Sequence, residues 1–294
     1  MSLQNTDLAA VSTGNELYLY YQQGTEIKEV LSKNGVDWRV SDKNVGDKCK
    51  VNGSSITAYY VIHEGGGDFN QKSTIKAVGT SDWKEAPVPS DVKNQPTEYS
   101  KLAWGVCHDE KKGAHQWAFF EQFSGARLEV AELRRYSGNN WPWVYRKILP
   151  QKAETALQGT SLAAYLTNYL THLYFQEHSG KVVEYIGSYE EWTSPRDLVK
   201  KEDVQINTPL AACGALSDAD PHVFYAGSGS PAKVKHYQGG TVKDVVNYWA
   251  GTRLGAAVLG KKIYLFYRQS TDPYGIATME YDGSSWKQGH NVVI

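Results

Sequence analysis

The chain has little cysteine: only Cys49, Cys107 and Cys213 occur among its 294 residues. An odd and small number of cysteines argues against a full disulfide framework, and none of the three stands at the short spacing of a zinc-binding pair. Cys49 and Cys213 lie in short apolar runs, where a cysteine behaves as a small buried hydrophobe. We therefore expect no metal site built on thiols.

The chain also lacks a large excess of either charge, and it lacks long apolar runs. The chain has 31 basic and 32 acidic residues, for a formal net charge of −1. This balance gives no electrostatic reason to expect binding to nucleic acid or to an anionic membrane. No apolar run is long enough to span a bilayer, and the first seven residues are polar, unlike a signal peptide. These absences predict a cytoplasmic protein, or a secreted one if a signal peptide has been removed.

Signatures of several enzyme classes are absent as well. The sequence contains no Gly-x-Ser-x-Gly elbow, no His-Glu-x-x-His, no P-loop and no dinucleotide-binding glycine pattern. The arginines, among them Arg134 and Arg268, show no spacing that would unite three of them in one site. Asp218 and Asp220, just before Pro221, are typical of a turn. No cofactor and no metal ion are implied.

Aromatic residues, by contrast, are abundant and regularly placed. Six times an aromatic pair is followed by a tryptophan 18 to 25 residues after the first member of the pair. The pairs are Tyr20-Tyr21, Tyr59-Tyr60, Phe119-Phe120, Tyr174-Phe175, Phe224-Tyr225 and Phe266-Tyr267. The tryptophans are Trp38, Trp83, Trp141, Trp192, Trp249 and Trp286. A repeated unit of about 49 residues is typical of a β-propeller blade.

The rest of each unit fits four short strands. A run of small apolar residues precedes the pair, as in Leu8–Val11, although the second unit is weaker and reads Lys48-Cys49-Lys50-Val51. A third strand follows the pair, as in Val182–Tyr185, and then come a polar turn and the tryptophan, which we expect to be mostly buried between neighbouring blades. Short β-branched or aromatic runs bounded by turn residues predict strands. We therefore predict an all-β fold: one six-bladed β-propeller domain over residues 1–294, with about four antiparallel strands per blade.

This order of strands resembles the fungal fucose-specific lectin family. The resemblance is clearest in Leu8-Ala9-Ala10-Val11, Leu17-Tyr18-Leu19-Tyr20-Tyr21-Gln22, Ile27-Lys28-Glu29 and Trp38. It implies a six-bladed propeller that binds sugar between adjacent blades. It also implies an arginine two positions ahead of each aromatic pair and a glutamate on the third strand, which clamp fucose together with an aromatic residue of the neighbouring blade. Charge-assisted hydrogen bonds would then hold the hydroxyls, while a ring covers the apolar face of the sugar.

The sequence departs from this family pattern at the sugar clamp. The arginine position reads Tyr18, Thr57, Trp117, His172, His222 and Tyr264. The glutamate position reads Glu29, Ala77, Glu132, Glu184, His236 and Thr278. A bidentate guanidinium is not replaced by tyrosine, tryptophan or neutral histidine. We therefore expect no fucose binding of ordinary lectin affinity at more than one groove.

The replacements suggest flatter, more apolar grooves, and the favoured interpretation is a cofactor-independent enzyme of secondary metabolism. Propellers similar to the fucose lectins include the hetero-Diels–Alderases of fungal tropolone–sesquiterpenoid pathways, which imply a cycloaddition or cyclisation catalyst. Such catalysis needs a shaped pocket and a few neutral donors. The alternatives are a lectin of altered specificity and a protein–protein scaffold. The expected partner is a small molecule or a glycan, and a homodimer is compatible with the sequence.

The candidate site residues follow from these positions. The candidate catalytic residues are Trp117, His172, His222 and Tyr264. The candidate ligand-binding residues are Tyr18, Glu29, Trp104, Glu132 and Glu184. Trp104 stands where the other units read Ala10, Cys49, Ala164, Ala212 and Ala256, so it either plugs the axial channel or floors a pocket at one end of it. His172 and His222 could instead be surface or hydrogen-bonded histidines without a catalytic role. The three glutamates could be solvated carboxylates at strand edges.

Overall fold

A computed structural model describes the chain at residues 3, 6–42, 45–46, 56–58, 100–109, 113–124, 127–136, 144–147, 155–166, 170–187, 191–193, 195–214, 220–269 and 272–292. These residues form five four-stranded antiparallel sheets, each built from consecutive strands of the chain. The second repeat unit lies almost wholly outside the described residues. Within them, no helix is long and apolar enough to cross a membrane.

Each sheet corresponds to one repeat unit and is named after it. The first sheet contains β1 Leu8–Ser12, β2 Leu17–Gln23, β3 Glu26–Ser32 and β4 Arg39–Val40. The third contains β5 Leu102–Asp109, β6 Gly113–Ser124, β7 Arg127–Tyr136 and β8 Val144–Lys147. The fourth contains β9 Ala163–Leu166, β10 Thr171–Gln176, β11 Val182–Gly187 and β12 Arg196–Val199, followed by a 3-10 turn, Lys201–Asp203. The fifth contains β13 Leu210–Cys213, β14 His222–Ala226, β15 Lys233–Gln238 and β16 Thr241–Asn247. The sixth contains β17 Gly255–Leu259, β18 Lys262–Gln269, β19 Asp272–Tyr281 and β20 Trp286–Gln288.

The sheets are arranged around an axis, with the first strand of each innermost. Strand β1 contacts β17, β17 contacts β13, β13 contacts β9, and β9 contacts β5. Buried apolar clusters fill the spaces between the third and fourth, fourth and fifth, fifth and sixth, and sixth and first sheets. The small residues of the inner strands permit this close approach at the axis. The predicted all-β propeller is thereby confirmed.

The strand predicted for Thr57 in the second unit was wrong. The segment Ile56–Ala58 lines the axial cavity beside the five inner strands, so Ile56 takes the place that Leu8 has in the first sheet. Thr57 therefore belongs to the axis, whereas the sequence analysis put it two positions ahead of an aromatic pair. Lys48–Val51, Tyr59-Tyr60, Ala77 and Trp83 lie outside the described residues. The spacing of this unit is irregular, and an apolar run alone does not fix the register of a strand.

A hydroxyl, buried in four of the five cases, ties the start of each described sheet to its second strand. It belongs to a threonine or serine two residues before the inner-strand leucine, and it accepts a hydrogen bond from the backbone N–H that follows the aromatic pair. We call these five groups the latch hydroxyls. They pair Thr6 with Gln22, Ser100 with Glu121, Thr160 with Gln176, Thr208 with Ala226 and Thr252 with Arg268, over 2.6–2.8 Å. Because a buried N–H must find a partner, the latch fixes the register at the start of each sheet.

Replacing Thr208 by valine should lower the free energy of unfolding by about 1–3 kcal/mol, since it leaves the buried N–H of Ala226 without its acceptor. Urea denaturation measures this loss. Thr208→Ser, which keeps the hydroxyl, and Thr241→Val at the exposed start of β16 serve as controls. A valine variant no less stable than the serine variant would show that the latch hydroxyl does not hold this strand.

Three tryptophans pack as the repeat predicts. Trp38, Trp192 and Trp286 each stand edge-on against the first aromatic of the preceding sheet, with ring centroids 5.6–5.8 Å apart. All three are half-buried, so they are more exposed than expected. Trp83 and Trp141 lie outside the described residues.

Trp249 does not take the position that the repeat gave it. A tight hairpin through Gly239 and Gly240, both with positive φ, starts β16 only two residues after β15 ends. That short turn leaves no room for a tryptophan between β15 and β16, and Trp249 falls beyond the end of β16. Its ring instead lies 4.7 Å from the guanidinium of Arg268. The expected tryptophan in this blade was therefore a spacing coincidence.

Candidate functional site

The candidate residues lie in the grooves between adjacent sheets. In three of these grooves, a tryptophan near the start of the fourth strand of one sheet packs against the first aromatic residue of the sheet before it. The four described strands of the fifth sheet contain no such tryptophan. Four grooves are described, and we name them after one residue each: the Glu132, Glu184, His236 and Tyr264 grooves. Trp117, His172, His222 and Tyr264 lie in four different grooves, so the structure does not bring the four candidate catalytic residues together.

The Glu132 groove, between the third and fourth sheets, contains a buried ion pair. Nε of Arg134 donates to Oε1 of Glu132 at 2.5 Å, and Nε1 of Trp192 donates to Oε2 at 3.0 Å. The guanidinium lies 4.4 Å from the ring centroid of Trp117. Glu132, Arg134 and Trp117 are at most 2% exposed. Carboxylate, guanidinium and two indoles thus meet in one enclosed cluster.

Sequence reasoning missed Arg134 because it searched only the second strand for an arginine. Trp117 on β6 is the cross-strand neighbour of Arg134 on β7. Since alternate residues of a strand share a face, Glu132 and Arg134 point into the same groove. The charge missing from the second strand is therefore supplied by the third. A Glu-x-Arg pattern on a predicted strand was the available signal.

The Glu184 groove, between the fourth and fifth sheets, is organised by one buried carboxylate. Nδ1 of His172 lies 2.9 Å from Oε1 of Glu184, and the hydroxyl of Tyr174 donates to the same oxygen at 2.8 Å. On the other side, a guanidinium nitrogen of Arg196 lies 2.5 Å from Oε2. Burial works to raise the pKa of Glu184, but the hydrogen bonds from His172 and Tyr174 and the charge of Arg196 outweigh it and lower the pKa.

This groove is open at its outer side. The side chain of Arg196 is 59% exposed although that of Glu184 is 1% exposed. Half-buried Tyr237, from the fifth sheet, packs against the cluster that contains Tyr174. Burial would lower the pKa of Arg196, but the nearby Glu184 and Tyr237 raise it. Arg196, like Arg134, was not predicted, because its position opposite Glu184 depends on the pairing of β11 with β12.

The His236 groove, between the fifth and sixth sheets, contains two buried histidines in place of arginine and glutamate. Nδ1 of His222 lies 2.8 Å from Nε2 of His236, and Nε1 of Trp286 donates to Nδ1 of His236 at 3.4 Å. Burial, followed by the nearby His222 and Lys243, lowers the pKa of His236 to about 3. His236 is therefore neutral near pH 7. With Nδ1 accepting from Trp286, its Nε2 carries the proton and donates to His222.

The Tyr264 groove, between the sixth and first sheets, is closed. Tyr264 is 2% exposed, and its hydroxyl donates to the carbonyl oxygen of Asn34 at 3.3 Å. The next residue, Gly35, has φ of +73°, and a Cβ there would lie 2.3 Å from the Tyr264 ring. The ring thus fills the space beneath the turn of the first sheet, and only glycine fits against it.

The remaining candidates lie in the first sheet and near the axis. The buried carboxylate of Glu29 accepts a hydrogen bond from Tyr20 at 2.9 Å. The Tyr18 hydroxyl donates to Glu16 at 2.7 Å, and its pKa is raised, mainly by burial. Trp104 packs against the buried cluster of the third sheet and also lines the axial cavity.

The described residues contain no group of three or more histidine, cysteine, aspartate or glutamate side chains placed to hold a metal ion. The two histidines of the His236 groove are hydrogen-bonded to each other. Their facing nitrogens therefore do not point together at a third atom. The chemistry available in the grooves is hydrogen bonding, ion pairing and contact with aromatic rings.

Comparison with known proteins gives a likeness of fold. No family model and no curated protein matches the sequence. A fungal lectin from Aleuria aurantia, described as a six-bladed β-propeller with a novel fucose recognition mode, is 15% identical, with a TM-score of 0.71 over 99% of this chain and 97% of its own. AofleA from Arthrobotrys oligospora is 15% identical, with a TM-score of 0.73 over 100% of this chain and 88% of its own. The chain therefore has the propeller fold of the fungal fucose-specific lectins, which confirms the resemblance seen in the sequence.

Proposed function

We propose that this chain is a carbohydrate-binding protein, a six-bladed propeller over residues 1–294 that binds a sugar in the Glu184 groove. The observation that carries this proposal is the exposed guanidinium of Arg196, held in place by the buried carboxylate of Glu184. The segment Ile56–Ala58 would belong to the sixth blade needed to close the ring. The fold likeness to lectins supports the same function.

Sugar recognition needs fixed charged or polar groups for the hydroxyls and a ring for the apolar face. In the Glu184 groove, Arg196 offers N–H donors toward solvent and Tyr237 offers a half-buried ring. The contact with Glu184 restrains the guanidinium before a ligand arrives, which lowers the entropy lost on binding. The sugar would therefore meet a site whose charged donor is already oriented.

The missing second-strand arginines argued against ordinary fucose binding, and the expectation of no more than one such site stands. The structure adds two arginines that this argument did not include. Arg134 and Arg196 enter their grooves from the third and fourth strands, so a guanidinium is available but approaches from a different direction. A changed direction of hydrogen bonding favours a lectin of altered specificity. The Glu132 groove, whose arginine is 1% exposed, is proposed to be structural.

A glycan array followed by calorimetric titration with the strongest methyl glycoside tests this function. We expect Arg196→Gln and Tyr237→Ala each to weaken binding about tenfold or more, which corresponds to 1.4 kcal/mol. Arg39→Gln, an exposed arginine 3.6 Å from Glu16 in the first sheet, is the matched control and should bind as the native protein does. An array without a binder, or a binder indifferent to both groove variants, would refute the proposal.

The cyclisation enzyme favoured by the sequence stays a prediction. Its four candidate catalytic residues lie in separate grooves, and in the described residues two of those grooves are filled by Arg134 and Tyr264. A thermal-shift screen of aromatic and terpenoid metabolites, run beside the glycan array, distinguishes the two functions. The cytoplasmic location and the homodimer likewise stay predictions.

A further inference from the structure

A cavity of about 100 Å³ runs along the propeller axis. It is lined by the beginnings of the five inner strands and by Ile56–Ala58. A space of this size holds several water molecules or a small ion, far less than a drug-sized ligand. Alanine is the commonest residue of its wall, and Trp104 adds bulk where other inner strands have Ala10, Ala164 and Ala212.

Charged side chains collect at one end of this cavity. In each described sheet, one residue separates the latch hydroxyl from the inner-strand leucine, and all five of these residues line the cavity. They are Asp7, Lys101, Ser161, Pro209 and Arg253. Because they hold the same position in equivalent strands, they form a ring at the same end of the axis. Trp104, three residues after Lys101, lies toward the opposite end.

The two cations of this ring belong to opposite members of the ring. Lys101 precedes β5 and Arg253 precedes β17, and strands β9 and β13 separate them on one side of the ring. Ile56–Ala58 and β1 separate them on the other side. Two inner segments on either side place Lys101 and Arg253 at opposite points of a six-membered ring. A ligand on the axis would lie between them.

Two described acidic groups, Asp7 and Glu121, lie near this ring. Asp7 accepts backbone N–H groups from Leu8 and Ile56, each at 3.1 Å, so its carboxylate is held against the wall of the ring. Glu121, whose charge is coupled to that of Lys101, is buried, and burial raises its pKa to about 8. Glu121 is therefore largely protonated near pH 7. The described residues of the ring therefore include two cations, Lys101 and Arg253, and one carboxylate, that of Asp7.

We propose that this end of the axial cavity binds a small oxyanion with two negative charges, either inorganic phosphate or a short dicarboxylate. Lys101 and Arg253 would each hold one side of the anion. Charge-assisted hydrogen bonds from lysine and arginine to such oxygens are among the strongest polar contacts in proteins. The narrow alanine-lined wall would exclude larger ligands. The site is independent of the sugar proposed for the Glu184 groove.

Calorimetric titration with sodium phosphate and, separately, with sodium malonate tests this site, with sodium chloride added to equal ionic strength. We expect at least one of the two anions to bind with Kd of about 1 mM or below. Phosphate binding more tightly would indicate a compact anion, and malonate binding more tightly a dicarboxylate. Lys101→Met and Arg253→Met should each weaken binding about tenfold or more, whereas Lys101→Arg should retain it.

The matched control is Lys287→Met, which removes the same charge from an exposed lysine on the outer strand β20. It should leave anion binding unchanged. The proposal is overturned if neither anion binds at about 10 mM, or if the control variant weakens binding as much as the two ring variants do. It is also overturned if a folded Arg253→Met protein binds as the native one does. Circular dichroism establishes folding, and the two ring positions are tested separately so that one unstable variant leaves the other decisive.

Discussion

Replacing Arg134 by methionine should lower the free energy of unfolding by about 3–5 kcal/mol. The change leaves the carboxylate of Glu132 buried without the cation that neutralises it, and it removes the guanidinium from the face of Trp117. Methionine keeps most of the side-chain volume, so the loss reports mainly on charge. Urea denaturation measures it, and the melting temperature should fall by roughly 5–8 °C.

A second variant separates the buried charge from the packing. Glu132→Gln combined with Arg134→Met removes both charges while leaving an oxygen to accept from Trp192, so it should recover a large part of the lost stability. Arg39→Met, which removes a 68% exposed arginine, should change the free energy of unfolding by no more than about 0.5 kcal/mol. If Arg134→Met proves as mild as this surface control, the pair is not buried as described.

Raising the pH from about 5 to about 8 should destabilise the protein through Glu121 by an amount on the order of 3 kcal/mol. Burial raises the pKa of this carboxyl from 4.5 to about 8 in the folded state. Below pH 4.5 both folded and unfolded states are protonated and the contribution is complete. As the pH rises toward 8 the unfolded chain has already released its proton, so folding loses this contribution.

Glu121→Gln should remove that part of the pH dependence and stabilise the protein at pH 8. The substitution is well suited to the site, because Gln22 and Gln176 hold the same position in other sheets and the backbone N–H of Gly159 needs only an acceptor oxygen. Thermal unfolding at pH 5 and pH 8 measures the effect. Glu26→Gln, at a surface glutamate paired with Lys28, is the control. A pH profile that Glu121→Gln leaves unaltered would mean that the carboxyl is not protonated in the fold.

Much of the fold could be predicted because it depends on local patterns of aromatic and apolar residues. The aromatic pairs of β2, β6, β10, β14 and β18 are buried where the repeat placed them. The failures have local causes too. A two-residue hairpin at Gly239-Gly240 shortened one unit and displaced Trp249 from the repeat, and spacing alone could not reveal it. In the second unit, Thr57 lines the axial cavity, whereas the repeat had placed it on the second strand.

The grooves were predicted in part. Glu132 and Glu184 lie buried between sheets, as the resemblance implied, and their carboxylates do bind charged partners. The partners themselves were missed. Arg134 lies two residues along the same strand, and Arg196 lies on the next strand, so neither stands at the spacing that a second-strand arginine would have.

The sequence by itself determined the repeated strands, their apolar faces and the propeller built from them. These depend on hydrophobic side chains recurring at regular intervals, and burial of such side chains requires only that each strand present one face to its neighbour. Which charges meet was decided by the tertiary structure alone. An ion pair needs atoms within a few ångströms, and that distance depends on strand register, hairpin length and the neighbouring sheet, none of which a single strand contains. For this reason the sequence indicated only that the second-strand arginines are missing, whereas the structure shows arginines entering two grooves from the third and fourth strands.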